Sequence, residues 1–441
     1  MSIITDLTRM WLTRSAKPFT FTNEYDESLP YADCQGLGLY VHIPFCRKIC
    51  DFCPYCKVVY DREKCDRYID ALLQEICMVG TQYAEKKQVT SLYFGGGTPA
   101  LAADRLKEIV DTIGTYFDIT EGIGLELHPE NVTVPTLRAL KDAGVTKISI
   151  GIQSFQEKYQ TLLGREKVDI SAMAQALSAV SFETVSMDFI FALPGQTDED
   201  LQADIELAFQ SGANHIAIYP FIDFSFTASD VPVMGKKKKR KLLDDITDYC
   251  EKMGYHRDSI WTFSSEPSYD AGNHSQEEKL ISGERSPVNT KTVRYSSMTR
   301  DNFLGFGCSA TTLLQKQFKI NTFSVEGYCK RVDSGKLPTS LTIRFSLRQR
   351  MVYYLFWTAY STRVDAKDFE RFFGVPLKKM YGMEIFLAKC MGFITEENGV
   401  YTMTKKGAFY YHYYENFYTL SYIDKMWGIM RKEAFPERLE L

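Results

Sequence analysis

The chain has little of what would place it in an oxidising compartment or inside a membrane. Its 441 residues hold 11 cysteines, too few and too unevenly spread for a disulfide framework. No apolar stretch of about 20 residues occurs, and no export signal is evident at the start. An excess of one charge is lacking as well: 52 Lys and Arg stand against 56 Asp and Glu, a net of -4, which gives no electrostatic reason to expect nucleic acid. The basic run from Lys236 to Lys241 reads as the solvated start of a helix. There is no internal repeat and no long low-complexity segment. A cytoplasmic monomer is expected, and the aromatic stretch from Phe409 to Trp427 leaves room for a peripheral membrane contact.

What is present is a large apolar fraction, 45% hydrophobic and 14% aromatic, enough for one large core and one or two smaller ones. Short apolar runs at 38–43, 90–94, 122–127, 147–152, 184–190 and 214–220 read as strands. Between them, Asp66 to Val79, Ala103 to Tyr116, Val134 to Ala143, Ile170 to Phe182 and Asp198 to Gln210 carry apolar residues at helical spacing. Parallel neighbours need crossover connections, so this alternation predicts an α/β fold, a partial (β/α)6 barrel with its site at the C-terminal strand ends. The expected division is an N-terminal extension over 1–36, a barrel over 37–225, and a mixed α/β extension over 226–342 with Asp258 to Phe263 strand-like and Ser264 to Lys291 a polar loop. A C-terminal module over 343–441 follows, mostly helical and winged-helix-like. With no basic recognition face, that module reads as a lid or docking element rather than a DNA reader.

Cys46, Cys50 and Cys53 follow the first strand as C-x3-C-x2-C. Short spacers at a strand mouth can converge three thiolates on an iron-sulfur cluster and leave one iron without a protein ligand. A zinc site is the competing reading, with Cys56 as its fourth ligand. One strand later, Gly95-Gly96-Gly97-Thr98-Pro99 allows backbone to approach a ligand closely, although a tight turn would use the same residues. Glu126, Gln153, Arg165 and Asp188 then sit at or soon after successive strand ends. Each alone could cap a strand; the ordered set is stronger.

Read together, these motifs resemble the radical S-adenosylmethionine (SAM) superfamily, and HIPFCRKICDFC resembles its oxygen-independent coproporphyrinogen oxidase-like branch. The resemblance implies a [4Fe-4S] cluster on Cys46, Cys50 and Cys53, with SAM at the open iron and reductive cleavage to a 5'-deoxyadenosyl radical. It implies that Gly96, Gly97 and Thr98 hold the methionyl amino group. Arg165 would hold the carboxylate, and Gln153 and Asp188 the ribose hydroxyls. Glu126 would contact SAM near the cluster, or a second SAM, and Tyr40 would lie near the sulfonium; these two are the candidate catalytic residues. Cys56 departs from the family spacing and reads as a non-ligand. His42 and His128 belong to structural motifs and are assigned no catalysis. The turn Gly305-Phe306-Gly307-Cys308-Ser309-Ala310 resembles a branch motif that packs onto the barrel near the site.

The first 36 residues lack the arm of coproporphyrinogen oxidase, and Arg294 to Phe303 lacks the signature of the haem chaperones. The expectation drawn from this is a class C radical SAM methyltransferase using two SAM molecules, with an sp2 carbon of an aromatic acceptor as target and a menaquinone-type quinone as the leading candidate. Tyr410, Tyr411, Tyr413, Tyr414, Phe417 and Tyr418 would suit a planar substrate, or simply pack on the barrel. The alternatives are an oxidative decarboxylase or haem-modifying enzyme acting on a tetrapyrrole, and a haem-binding chaperone. Either enzymatic reading calls for a low-potential electron donor such as flavodoxin or ferredoxin.

Overall fold

The structure, a computed structural model, describes residues 3–265 and 302–441, without the side chains of 3–5 and 416–417. Most of the expected polar loop Ser264 to Lys291, and Arg294 to Asp301 of the segment Arg294 to Phe303, lie outside the described residues. Six parallel strands stand side by side: β1 (Leu37–Ile43), β2 (Leu92–Gly96), β3 (Ile123–Leu127), β4 (Lys147–Gln153), β5 (Thr184–Phe191) and β6 (His215–Pro220). Helices Arg62–Gly80, Ala103–Tyr116, Val134–Asp142, Ile170–Ala179 and Asp198–Gln210 return the chain between them. Their starts are written in the sequence: Asp61, Thr133, Asp169 and Thr197 each accept a first-turn backbone N–H, and Thr197 with Asp200 forms a capping box.

The strands are buried on both faces, as parallel strands under covering helices are. The exceptions locate the site. In β1 the single partly open side chain is Tyr40, in β3 it is Glu126, and in β5 it is Asp188. Three polar residues therefore face the barrel lumen from strands that are otherwise sealed.

The sheet runs beyond the six strands on both edges. Asn302–Phe306 adds parallel to β1, and the antiparallel strands Thr311–Leu314, Gln317–Asn321 and Thr339–Arg344 continue from it. Thr20–Thr22 of the N-terminal extension then joins between Thr339–Arg344 and Arg438–Glu440. On the other edge Thr262–Ser264 pairs antiparallel with β6. The run Asp258 to Phe263 is thus not one strand. The Asp258 N–H donates to the Thr262 carbonyl, closing a hairpin between His256–Arg257 and Thr262–Ser264.

A second correction concerns the basic run. Helix Lys236–Lys252 does begin there, yet its cations are not simply solvated. The Lys236 ammonium lies 3.3 Å from the Tyr413 ring centroid, Arg240 lies 4.5 Å from that of Phe409, and burial pulls Lys239 down to about 8. The run docks the C-terminal aromatic helix Lys405–Tyr418. The C-terminal module has helices Leu347–Tyr360, Ala366–Phe373 and Leu377–Cys390 with a three-stranded wing, and its own core around Met351, Phe369 and Tyr381. Among the described residues no helix is long and apolar enough to cross a membrane.

Glu75 ties the sheet extension to the barrel. It is buried, and its carboxylate accepts from the Gly307 N–H (2.7 Å), the Tyr328 hydroxyl (2.5 Å) and the Asn321 amide (3.0 Å). Burial lifts its pKa from the ordinary 4.5 to about 7. The folded state therefore holds a proton that the unfolded chain has lost between those values, so this contribution to stability is largest below pH 4.5 and gone above pH 7. Glu75→Gln turns one acceptor oxygen into a donor facing donors, and is expected to cost about 1–3 kcal/mol. Denaturant titrations at several pH values should show both the loss and a flatter dependence between pH 4.5 and 7 in the variant.

Candidate active site

The cysteine loop leaves β1 at Pro44 and is closed at its base by the parallel pair Phe45–Cys46 and Val58–Val59, with the Tyr60 N–H donating to the Cys46 carbonyl at 2.8 Å. Cys50 and Cys53 lie inside it, joined by the Cys53 N–H to the Cys50 carbonyl. The glycine segment after β2 is bolted to the same loop: the Gly97 N–H donates to the Ile43 carbonyl at 2.8 Å and the Thr98 N–H to the Phe45 carbonyl at 2.7 Å. The Thr98 hydroxyl reaches the Cys46 sulfur at 3.8 Å and the Arg165 guanidinium the Cys50 sulfur at 3.5 Å. Cys46, Cys50 and Cys53 are free, partly open and together on one cavity wall. Burial pushes the Cys46 thiol up to about 11 and raises Cys53. Such thiols ionise when iron binds, and the Lys57 ammonium beside Cys53 favours the thiolate form. The donor set fits a three-thiolate cluster site.

Cys56 turns away from this group. Its thiol donates to the Phe323 carbonyl at 3.2 Å and its sulfur lies 3.9 Å from that of Cys308.

Glu126 sits across the lumen, where its carboxylate accepts from the Gly96 N–H at 3.1 Å and the Tyr93 hydroxyl at 3.3 Å. Burial, followed by the charge of Asp188, lifts it to about 7. Asp188 is lifted by burial to about 6, against the opposing pull of Ser149 and Ser186, whose hydroxyls donate to it. Tyr40 meets His42, hydroxyl to Nδ1, at 3.0 Å, and its pKa is raised by burial and then by Glu126. Gln153 ends β4 at φ +72°, a left-handed conformation uncommon outside glycine and concentrated at functional sites. His128 is held neutral, down to about 3, by burial and by Arg165.

The triad, Tyr40, Glu126, Gln153, Arg165 and Asp188 line one cavity of about 2060 Å³ that extends from the lumen to the C-terminal module. Its far wall is aromatic, and helical periodicity selects it: Tyr411, Tyr414, Tyr418 and Tyr422 line the cavity, whereas Tyr413 lies under Lys236. The side chain of Phe417 is outside the described residues, and the Tyr410 ring packs at a tilt against Phe393. Sequence reasoning overlooked Trp427, whose ring sits 6.0 Å from Tyr55 of the cysteine loop and 6.4 Å from Phe224 beyond β6. It also overlooked Tyr55 itself, 54% exposed toward the cavity. The only sequence signal for Tyr55 was its place between Cys53 and Cys56.

The Radical SAM superfamily profile matches residues 40–208, the stretch that contains the triad and every lumen residue above. Residues 40–208 form a radical SAM domain. The chain is similar to proteins of the coproporphyrinogen oxidase-like branch. It is 30% identical over 241 residues to the haem chaperone HemW of Lactococcus lactis, covering 51% of this chain and 61% of the relative, so the chain spans about three fifths of that protein. With the oxygen-independent coproporphyrinogen III oxidase of Escherichia coli it shares 25% over 309 residues, 67% of this chain and 65% of the relative. The structure of the Escherichia coli coproporphyrinogen III oxidase HemN, described as a radical SAM enzyme, superposes with a TM-score of 0.73 at 21% identity over 94% of this chain and 98% of its own, a likeness of fold. The superfamily implies a [4Fe-4S] cluster and SAM. These relatives are named for porphyrin oxidation and haem handling, and lend nothing to the expected methyltransferase and menaquinone readings.

Proposed function

We propose that this radical SAM protein is an enzyme acting on a tetrapyrrole, with SAM at the triad and substrate against the aromatic wall. The observation that carries the reading is the cavity of about 2060 Å³, since a drug-sized ligand takes about 300–1,000 Å³ and this space admits SAM together with a large planar partner. Its wall carries flat rings, which suits a planar macrocycle.

A cluster held by Cys46, Cys50 and Cys53 would supply the electron for reductive cleavage of SAM. The chain's residues prepare that site. Arg165 offers a guanidinium next to Cys50 for the methionyl carboxylate, and the backbone around Gly96 to Thr98 faces the amino group. Glu126 and Asp188 place negative charge near a cofactor that carries a sulfonium and an ammonium, with Gln153 and Asp188 available to ribose hydroxyls and Tyr40 alongside. Because these carboxyls titrate at about 7 and 6, SAM should bind more tightly as pH rises from 6 to 8, by at most about tenfold per carboxyl and pH unit. Calorimetric titrations with SAM across that range should show the trend, and Glu126→Gln should weaken it.

The deciding experiment reconstitutes the cluster anaerobically, adds reductant and methyl-labelled SAM, and offers coproporphyrinogen III, haem or menaquinone separately. Formation of 5'-deoxyadenosine coupled to a change in mass of the tetrapyrrole is expected. Haem binding without SAM cleavage would make the chain a carrier, and label appearing in the quinone would restore methyl transfer.

A further inference from the structure

Two features singled out in the sequence take no part in the site above: Cys56, three residues beyond the triad where the family spacing differs, and Cys308, in the turn after Asn302–Phe306. They are 252 residues apart in sequence, and their sulfurs lie 3.9 Å apart. His42 completes the group, for one ligand atom from each of the three lies within 4.8 Å of the others. All three side chains are sealed, with Cys56 5%, Cys308 0% and His42 3% exposed.

From this we propose that His42, Cys56 and Cys308 form a second metal site, separate from the cluster triad, for a borderline-soft divalent ion of the zinc class. Three physical points support the assignment. Two sulfurs bound to zinc at about 2.3 Å with tetrahedral angles lie about 3.8 Å apart, close to the separation found here. The donor set, two thiolates and an imidazole, selects zinc-class ions over magnesium or calcium, which take oxygen ligands. Charge balances: both thiols lose their protons to solvent on binding, and two thiolates with a divalent ion and a neutral imidazole bury no net charge.

The frame is rigid before any ion arrives. The Cys308 N–H donates to the Tyr68 hydroxyl at 2.9 Å and the preceding Gly307 N–H to Glu75. A side chain at Gly307, whose φ is +94°, would strike the Tyr68 hydroxyl at 2.5 Å and the His42 carbonyl at 2.6 Å, so the turn can sit this close to β1 only with glycine there. His42 rests with Nε2 2.9 Å from the Cys56 carbonyl and Nδ1 3.0 Å from the Tyr40 hydroxyl. The carbonyl can only accept, so Nε2 carries the proton and Nδ1 accepts from Tyr40. Ligation through Nε2 moves the proton to Nδ1, which then donates to the Tyr40 oxygen, the outer hydrogen bond that metal-bound histidines usually make. Cys56 and His42 also border the main cavity, so water from it or the Phe323 carbonyl fills the fourth position. A loaded site would fasten β1, the end of the cysteine loop and the Gly307 turn together behind the SAM pocket.

The test uses the full chain with Cys46→Ser, Cys50→Ser and Cys53→Ser, purified anaerobically and titrated with cobalt(II) and then zinc(II). One cobalt per chain is expected, with thiolate charge-transfer absorption that zinc displaces. Adding Cys56→Ser or Cys308→Ala should weaken binding by roughly 100-fold or more, whereas Cys329→Ser, a nearby buried thiol outside the group, should not. If the triple variant does not fold, elemental analysis of the cluster-loaded wild type replaces it: one zinc per chain beyond the cluster iron, lost in Cys308→Ala. Cobalt binding indifferent to both substitutions, no binding at all, or a Cys56–Cys308 disulfide as the pair's sole reactivity overturns the proposal.

Discussion

Replacing any one of Cys46, Cys50 or Cys53 by serine is expected to drop the iron retained after anaerobic reconstitution to the background of untreated protein, and SAM cleavage with it. Cys56→Ser should keep its iron. The asymmetry follows from geometry: the three partly open thiols share a cavity wall with Arg165 and Thr98 beside them, whereas Cys56 is buried and directed at Cys308 and Phe323. A hydroxyl in place of a thiolate is a poor ligand for iron-sulfur iron, and with two protein ligands left the cluster has no third anchor. Iron and sulfide content together with the visible absorption of the cluster measure the outcome. Iron retained in Cys50→Ser but lost in Cys56→Ser would reverse the ligand assignment and remove the open iron on which SAM chemistry depends.

Much of the barrel could be read without a structure because its signals are local. Helix Ala103–Tyr116 and helix Asp198–Gln210 begin and end where apolar spacing places them, and β3 to β6 fall within a residue of their apolar runs. Parallel strands buried on both faces are nearly all apolar, so Glu126 and Asp188 stand out as charges that a sealed strand would not otherwise hold. What escaped depends on pairing over long separations. Nothing near Thr20–Thr22 announces that it will lie between Thr339–Arg344 and the C-terminal strand, and nothing near Cys308 announces Cys56. Trp427 escaped for the same reason: it reaches the site because helix Asp424–Met430 folds back over the cysteine loop, where Arg431 also donates to the Pro54 carbonyl. Aromatic composition marked the C-terminal stretch, but only helix phase divides Tyr414 and Tyr418, which face the cavity, from Tyr413, which faces Lys236.

Gly97→Ala should be the most damaging single-methyl change in the chain's cofactor region. An added Cβ would stand 2.6 Å from the Phe45 carbonyl oxygen, 2.7 Å from the Pro44 carbonyl carbon and 2.8 Å from the Phe45 nitrogen. All three are backbone atoms of the segment that delivers Cys46, so no side-chain rotation relieves the clash. Either the glycine segment or the cysteine loop must move, and the hydrogen bonds from Gly97 to Ile43 and from Thr98 to Phe45 resist that. Overpacking of this kind costs about 1–3 kcal/mol where the surroundings can give, and more where they are fixed. The variant should therefore melt at lower temperature and hold less iron, because Cys46 is displaced along with its loop. Gly114→Ala provides the contrast: that glycine lies inside helix Ala103–Tyr116 with nothing within 4 Å of an added Cβ. There the methyl should raise stability by about 0.5–1 kcal/mol through helix propensity. Thermal unfolding and iron content of the two variants, measured side by side, separate a tight backbone approach from a general intolerance of alanine. Equal behaviour of the two would mean that the glycine segment and the cysteine loop are not held against each other as the hydrogen bonds indicate.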